Sequence, residues 1–304
     1  MQATTPAPAL RPLGVGDVLD RTFSVYRSRP LLFIGLSAIW YLLLVLVFIV
    51  LAVAVFASAL AAFARQTATP SPEQIGGALA GIIGFVVVAV VVAIVLFSAQ
   101  SASLVDAAAR RYLAKDIGIG EAFRAGLSAS GRLFLAGILV FLAIVGVWGV
   151  LFIVAAIANQ FLAFALAFIA AIVVSAYLAC SWLVAPVVVV IEKMGPIAAL
   201  GRAWRLSSGN RWRIFGIQVL LLILNLVLSI LIGGLFGGLA AVGGGGTTTG
   251  QLGAGNILQS LVNLASTIIW APVEWIAFTV LYYDLRVRKE AFDLQLAAEA
   301  LPQS

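Results

Sequence analysis

The stretch from Leu31 to Leu60 reads LLFIGLSAIWYLLLVLVFIVLAVAVFASAL and carries no charged residue. A helix needs about 20 predominantly apolar residues to cross the hydrocarbon core of a bilayer, which is about 30 Å thick. Five further runs meet that requirement: residues 77–105, 133–158, 161–191, 214–242 and 257–283. Strands of a membrane barrel would alternate in polarity, and these runs do not. The sequence therefore predicts one all-α domain, a polytopic membrane helix bundle of six transmembrane helices.

The overall composition supports this interpretation and excludes several kinds of chemistry. Of 304 residues, 63% are hydrophobic and only 10% are charged, whereas soluble domains carry about 25% charged residues. The chain has no histidine, which excludes His-based acid–base catalysis and His metal ligands. Its single cysteine, Cys180, cannot form an intrachain disulfide. We therefore expect no cofactor, no metal and no catalytic residue.

The distribution of basic residues predicts the orientation. Of the 18 Lys and Arg residues, all but Arg65 lie before the first run, in the two loops at 106–132 and 192–213, or after the last run. Basic loops stay in the cytoplasm, so both termini are expected there, in a multi-pass protein of the plasma (inner) membrane. About thirty mixed residues precede the first run, which is too long for the apolar core of a cleavable signal.

The net charge of +6 allows two kinds of partner. In a soluble protein it could indicate nucleic-acid binding, but beside six membrane spans it favours anionic lipids of the cytoplasmic leaflet and not nucleic acid. Arg205, Arg211 and Arg213 surround the turn that precedes the fifth span and are candidate contacts for lipid phosphates. The alternative is that they only anchor the topology.

Three cytoplasmic segments resemble one another and predict short interfacial amphipathic helices. Apolar residues recur at helical spacing from Val15 to Tyr26, from Ile119 to Leu127 and from Ile197 to Trp204, with arginines opposite. Each segment runs into a span, which suggests three units of an interfacial helix and a transmembrane hairpin. The alternative is that any short basic loop between spans looks amphipathic. A further amphipathic helix is expected at 284–300, within a cytoplasmic tail that covers 284–304.

Few polar residues lie inside the spans. Glu274 is the only acid well within one, next to Pro272, and Asn225 and Asn263 lie in spans five and six. Intramembrane acids often mark proton or cation sites, but a neutral Glu could also hydrogen-bond a carbonyl that the proline frees. The asparagines could be interhelical hydrogen-bond partners or line a pathway. Pro186 is expected to kink the fourth span.

Three motifs carry a resemblance to a known family. They are residues 11–27, which begin RPLGVGDVLD, residues 203–213, AWRLSSGNRWR, and residues 281–294, LYYDLRVRKEAFDL. Together they resemble the glycerophosphoryl diester phosphodiesterase membrane domain family of bacterial integral membrane proteins. Relatives with that activity carry it in a separate soluble hydrolase domain with histidines and metal-binding acids. This chain has no histidine and no room for that domain, so the resemblance implies a membrane fold and location without the hydrolase activity.

Two functional expectations follow. The first is a non-enzymatic membrane scaffold or accessory protein for envelope or lipid-related processes, with an unidentified membrane protein as a possible partner. The second is a small-solute, ion or lipid transporter that uses Glu274 and the polar residues of spans five and six. An intramembrane enzyme is disfavoured, because neither paired acids nor a Ser–Lys couple lies inside the membrane.

Overall fold

The computed structural model describes residues 12–64, 72–158, 160–242 and 254–299, and these ranges form helices without a strand. This confirms the predicted all-α class. The helices are α1 Val15–Ser28, α2 Pro30–Ala64, α3 Pro72–Tyr112, α4 Ile119–Ala158, α5 Phe161–Trp182, α6 Ala185–Ile191, α7 Pro196–Ser207, α8 Arg211–Val242, α9 Ala254–Glu290 and α10 Phe292–Glu299.

Six segments of the described chain are long and apolar enough to cross a membrane, as the sequence predicts. They are Pro30–Val55, Gly76–Tyr112, Ile119–Ala158, Phe161–Ile191, Arg211–Leu235 and Gln259–Glu290. The protein is therefore a multi-pass membrane protein. Arg11, Arg65, the glycine-rich linker at 243–246 and the last five residues of the predicted tail lie outside the described residues.

Two of the three predicted amphipathic helices are separate elements. Pro30 follows α1 after Arg29, whose φ of −151° and ψ of 64° are not helical, and α7 ends before Gly209, whose φ of +78° stops a helix. The second predicted helix is instead the first part of α4, which continues into the span without a break. No proline lies between Ile119 and Ala158, so nothing in that sequence interrupts the helix.

The predicted kink and the predicted tail helix differ in outcome. The fourth span breaks between α5 and α6 just before Pro186, at the second position of α6, which confirms the kink. The separate tail helix expected at 284–300 is wrong in its start, because α9 continues past Asp284 to Glu290. Ala291, with a φ of +50°, separates it from α10.

The core lies around α9, towards the end of the bundle that carries most of the described basic residues. We call it the basic end; it comprises α1, α7, the starts of α4 and α8, and the end of α9. In the most apolar part of α9, 56% of residues are buried, against 17% or less in each other span. Helices α1, α2, α3 and α8 therefore pack on α9 there, and the apolar surfaces of the other spans are left to lipid.

Two spans approach closely where α3 meets α4. Trp40 of α2 donates a hydrogen bond to Ser103 Oγ at 3.0 Å and stacks on Phe123 of α4, with ring centroids 4.5 Å apart. Gly126 of α4 faces the same serine: a Cβ there would lie 1.8 Å from Ser103 Oγ and 2.4 Å from the Ala99 carbonyl oxygen. Only a glycine allows this spacing, as at other small-residue contacts in membranes.

We expect Gly126→Ala to lower the free energy of unfolding by about 1–3 kcal/mol, because a methyl group must force α3 and α4 apart. The measurement is the thermal unfolding midpoint of the full chain in mild detergent. Gly131→Ala on the same helix is the matched control, since nothing lies within 4 Å of its added Cβ. Equal midpoints for both variants would contradict the close approach.

Candidate functional site

A cleft of about 470 Å³ opens between α5, α8 and α9 within the predicted membrane region. Helix α5 contributes small side chains, while α8 and α9 contribute large apolar and amide groups. Its lining consists of Ala176, Ala179, Cys180, Phe215, Gln218, Val219, Leu221, Leu222, Asn225, Trp270, Glu274 and Phe278. The volume lies within the range of ligand pockets, about 300–1,000 Å³.

A second, more polar cavity of about 350 Å³ continues from the first one, away from the basic end. The two share Asn225 and Trp270, and the second is further lined by Leu228, Ser229, Asn263, Ser266 and Thr267. Along α8 the pair extends from Phe215 to Ser229, about 21 Å at 1.5 Å per residue. We call the two cavities together the α5–α8–α9 cleft. Its length is a large part of the thickness of the bilayer core, which is about 30 Å.

Glu274 is the only acid in the lining of either cavity, and neither cavity has a basic lining residue. No hydrogen bond or ion pair joins its carboxylate to another described residue. Tyr41 on α2 is near enough to the carboxylate to interact with it electrostatically. Glu274 is ten residues before Asp284 on α9, so it lies about 15 Å from the basic end.

The two predicted asparagines lie in the same cleft as Glu274. Asn225 stands where the cavities meet, and no hydrogen bond from its side chain to a described residue is present. Asn263 Oδ1 accepts a hydrogen bond from Gln259 Nε2 at 3.0 Å, and its carbonyl accepts one from Thr267 at 2.8 Å. These bonds run within α9, so the structure places both asparagines along a cavity and not in a hydrogen bond between spans.

Sequence reasoning missed Gln218 and Trp270. Gln218 is an amide within the fifth predicted span, a signal that was available. Trp270 carries no such signal, because a tryptophan in a span is usually packing or an interface anchor. Its position between the two cavities depends on how α9 is rotated against α8.

Arg211 lies one helical turn before Phe215, the lining residue of α8 nearest to the basic end. Its guanidinium lies 4.6 Å from the Tyr177 ring centroid and 4.7 Å from that of Trp204, and it donates a hydrogen bond to Ser181 Oγ at 2.8 Å. Cation–π contacts on two ring faces fix such a side chain. We call Arg211 with Tyr177, Trp204 and Ser181 the Arg211 box; it joins α5, α7 and α8 one turn from Cys180 and Phe215 of the lining.

Arg213 binds the backbone just before α1, at Leu13. Its guanidinium pairs with Asp284 and donates to the Leu13 carbonyl at 2.6 Å. Arg288 donates to the same carbonyl at 2.6 Å and to Asp284 at 3.1 Å, while Asp284 Oδ1 accepts from the Leu13 N–H at 2.7 Å. We call these four residues the N-terminal clasp. The Asp284 side chain is fully buried within it.

A second ion-pair network lies beside the clasp. Arg202 Nε donates to Glu192 at 3.1 Å and its Nη2 donates to Glu290 at 2.8 Å, and Tyr282 donates to Glu192 at 2.7 Å. The hydrogen bond that Arg202 donates to Glu290 is the main reason that the pKa of Arg202 is raised. Arg205, one turn along α7, is exposed. Of the three predicted lipid contacts, the side chain of Arg205 has no hydrogen bond or ion pair with a described residue, whereas the side chains of Arg211 and Arg213 bind within the protein.

The donor chemistry of the described chain bears on metals as well. No group of three or more Cys, Asp or Glu side chains converges there. Besides the Glu274 carboxylate, the side-chain oxygens that line the larger cavity are those of the amides Gln218 and Asn225. Coordination of a divalent cation would need several more charged or carbonyl oxygens than the lining of the larger cavity offers.

Residues 99–285 match a family described as "Domain of unknown function (DUF7847)", and the chain belongs to that family. The matched region begins within α3 and includes every lining residue of the cleft. Searches of curated proteins and of solved structures give no match.

Proposed function

We propose that this chain is a non-enzymatic membrane transporter of a small solute or lipid, and that the α5–α8–α9 cleft is its binding site. The observation that carries the proposal is the placement of Glu274, Asn225 and Asn263 along one pair of joined cavities. If these polar residues only stabilised the packing of the two spans, they would not need to share a cavity. Their alignment along about 16 Å of membrane, the rise from Asn263 to Glu274 on α9, is what a solute route requires.

The walls of the cleft suggest how a ligand enters. Leu222 and Phe215, both lining residues on α8, are 66% and 42% exposed, so the cleft opens sideways between α5 and α8. In a membrane this opening faces lipid. The Arg211 box lies at the basic end of the cleft. These features favour a ligand that partitions into the bilayer first and moves into the cleft from there.

We also propose that the basic end faces the cytoplasm and that the membrane is the plasma (inner) membrane. The support is the positive-inside rule applied to the loops that carry the Lys and Arg residues. With this orientation the Arg211 box lies at the cytoplasmic end of the cleft, and the more polar cavity, with Asn263, lies towards the outer side.

We expect Ala179→Trp to remove the native ligand, because an indole at this position fills the larger cavity from the α5 side. The measurement is purification of the full chain from native membranes in mild detergent, followed by mass spectrometry of every co-purifying lipid and solute. The wild-type protein should retain one species above its abundance in the bulk membrane. The variant should retain at most a tenth of it.

Val173→Trp is the matched control, since Val173 lies on the same helix, is 61% exposed and is not part of the cleft lining. It should retain the ligand as the wild type does. If Ala179→Trp elutes as a stable monodisperse protein with unchanged ligand, or if the wild type retains no enriched species, the cleft is not a binding site.

The second candidate function is a scaffold or accessory protein, which a different observation favours. Trp212 is 87% exposed and Ile197 is 77% exposed at the basic end, near the unpaired side chain of Arg205. An aromatic and basic surface of this kind suits anionic lipid headgroups or a membrane protein partner. In the same purification, a near-stoichiometric protein without an enriched small molecule would favour this function. The resemblance to the glycerophosphoryl diester phosphodiesterase membrane domain family stays a prediction that is compatible with either.

A further inference from the structure

We propose that the ligand of the α5–α8–α9 cleft is an amphipathic organic cation with a single positive charge, and that Glu274 is its counter-ion. This inference rests on the proposed function and adds the chemical class of the ligand. It is carried by the charges, rings and walls that surround one carboxylate.

The first argument is charge balance inside the cleft. Glu274 is the one ionisable acid of the lining, and the remaining polar groups there are uncharged amides and hydroxyls. An ionised carboxylate at this depth is costly unless a positive charge accompanies it. A ligand with one positive charge balances the site, whereas an anionic ligand would place two negative charges in a medium of low dielectric constant.

The second argument is that the nearby arginines already have partners. Arg213 and Arg288 bind Asp284 and the Leu13 carbonyl, and Arg211 lies between two aromatic rings. Arg286, about 18 Å further along α9, pairs with Glu290 at 3.1 Å. No described basic side chain pairs with Glu274, so a counter-charge for its ionised form has to come from the ligand.

The third argument is the aromatic surroundings of the carboxylate. Trp270 and Phe278 lie one helical turn before and after Glu274 on α9, on the same face, and both line the cavity together with Phe215 of α8. Ring faces attract ammonium and quaternary groups, and do so more strongly where water is excluded. A carboxylate between aromatic rings is the arrangement that recognises an organic cation.

The fourth argument separates an organic from an inorganic cation. A hard metal ion takes six or more oxygen ligands, or keeps its waters. The larger cavity offers the Glu274 carboxylate and the amides of Gln218 and Asn225, and its other side chains are apolar or aromatic. Such walls stabilise the hydrocarbon part of an amphipathic ligand, and at about 470 Å³ the cavity has room for that part.

The test is equilibrium binding of radiolabelled tetraphenylphosphonium to the full chain in phosphatidylcholine nanodiscs. Empty nanodiscs correct for partition into lipid. We expect saturable binding close to one per chain, reduced at least tenfold by Glu274→Gln and retained by Glu274→Asp. Tetraphenylborate, an anion of nearly the same shape, should show no saturable binding to the wild type.

Glu121→Gln is the matched control, because Glu121 is an exposed acid at the start of α4, away from the cleft. It should bind the cation as the wild type does. Repeating the assay with phosphatidylethanolamine in the disc distinguishes the two sources of an amine: competition indicates a lipid headgroup, and its absence indicates a free hydrophobic amine.

The outcomes separate this inference from the proposed function. If Glu274→Gln binds tetraphenylphosphonium as tightly as the wild type, or if the wild type binds tetraphenylborate more tightly than the cation, the cation inference is overturned. Loss of the native ligand in Ala179→Trp together with its full retention in Glu274→Gln would leave the cleft as the site and reject the counter-ion. If Ala179→Trp changes neither the native ligand nor tetraphenylphosphonium binding, both proposals fail.

Discussion

Asp284→Ala is expected to destabilise the protein by about 3–5 kcal/mol, the typical effect of removing one partner from a buried ion pair. The Asp284 side chain is fully buried and compensates two guanidinium groups, those of Arg213 and Arg288. Its loss leaves both charges partly buried and the Leu13 N–H without its acceptor. The N-terminal clasp joins the chain before α1 to α8 and α9, so we expect the start of the chain to detach.

The measurement combines two readouts on the full chain in mild detergent. The thermal unfolding midpoint should fall strongly, and limited proteolysis should cut before α1 at a lower protease concentration than in the wild type. Asp20→Ala is the matched control, because Asp20 is an exposed acid on α1 that pairs with no described residue. An Asp284→Ala protein with the wild-type midpoint and the wild-type cleavage pattern would show that the clasp does not stabilise the fold.

Arg202→Met should have the next largest effect, a loss of about 2–3 kcal/mol. Arg202 is the only described cation between Glu192 and Glu290 that bonds to both, and hydrogen bonds to charged groups contribute about 1.5–3 kcal/mol each. The side chains of the network are 15–22% exposed, so solvent screening reduces the effect below that at Asp284. Methionine retains most of the apolar stem of arginine, so the loss of stability measures the contribution of the guanidinium group.

The matched control is Arg205→Met, one turn away on α7, where the side chain is exposed and pairs with no described residue. We expect its unfolding midpoint to stay within about 0.5 kcal/mol of the wild type, the usual range for surface substitutions. The two variants change the same residue type on the same helix. If both shift the midpoint equally, the network that joins α6, α7 and α9 is not the cause.

The predicted fold and the predicted site differ in how much of each could be obtained from sequence. The six spans and the break near Pro186 were predictable, because span length and the missing N–H of proline act locally. The continuous α4 was not predicted, although the absence of a proline between Ile119 and Ala158 was visible. An amphipathic stretch gives the same periodicity whether a helix ends after it or runs on into the membrane.

The ion pairs at the basic end were even harder to predict from the sequence. Arg213 and Asp284 are about seventy residues apart, and the Leu13 backbone oxygen that two arginines share has no signature in sequence, since every residue has a carbonyl group. Arg213 was therefore expected to contact lipid phosphates. In the structure its guanidinium group binds Asp284 and the Leu13 carbonyl. That it contacts lipid as well stays a prediction.

The sequence by itself determined that this chain spans a membrane six times as helices, because apolar length and the distribution of charge are properties of each segment alone. It also identified Glu274, Asn225 and Asn263 as exceptional, because a polar group is costly inside lipid wherever its helix lies. Only the tertiary structure decided that these three share one cleft with Trp270 and the small face of α5. That depends on how α5, α8 and α9 are rotated and shifted against one another, and these angles are set by side-chain packing between segments that are distant in sequence.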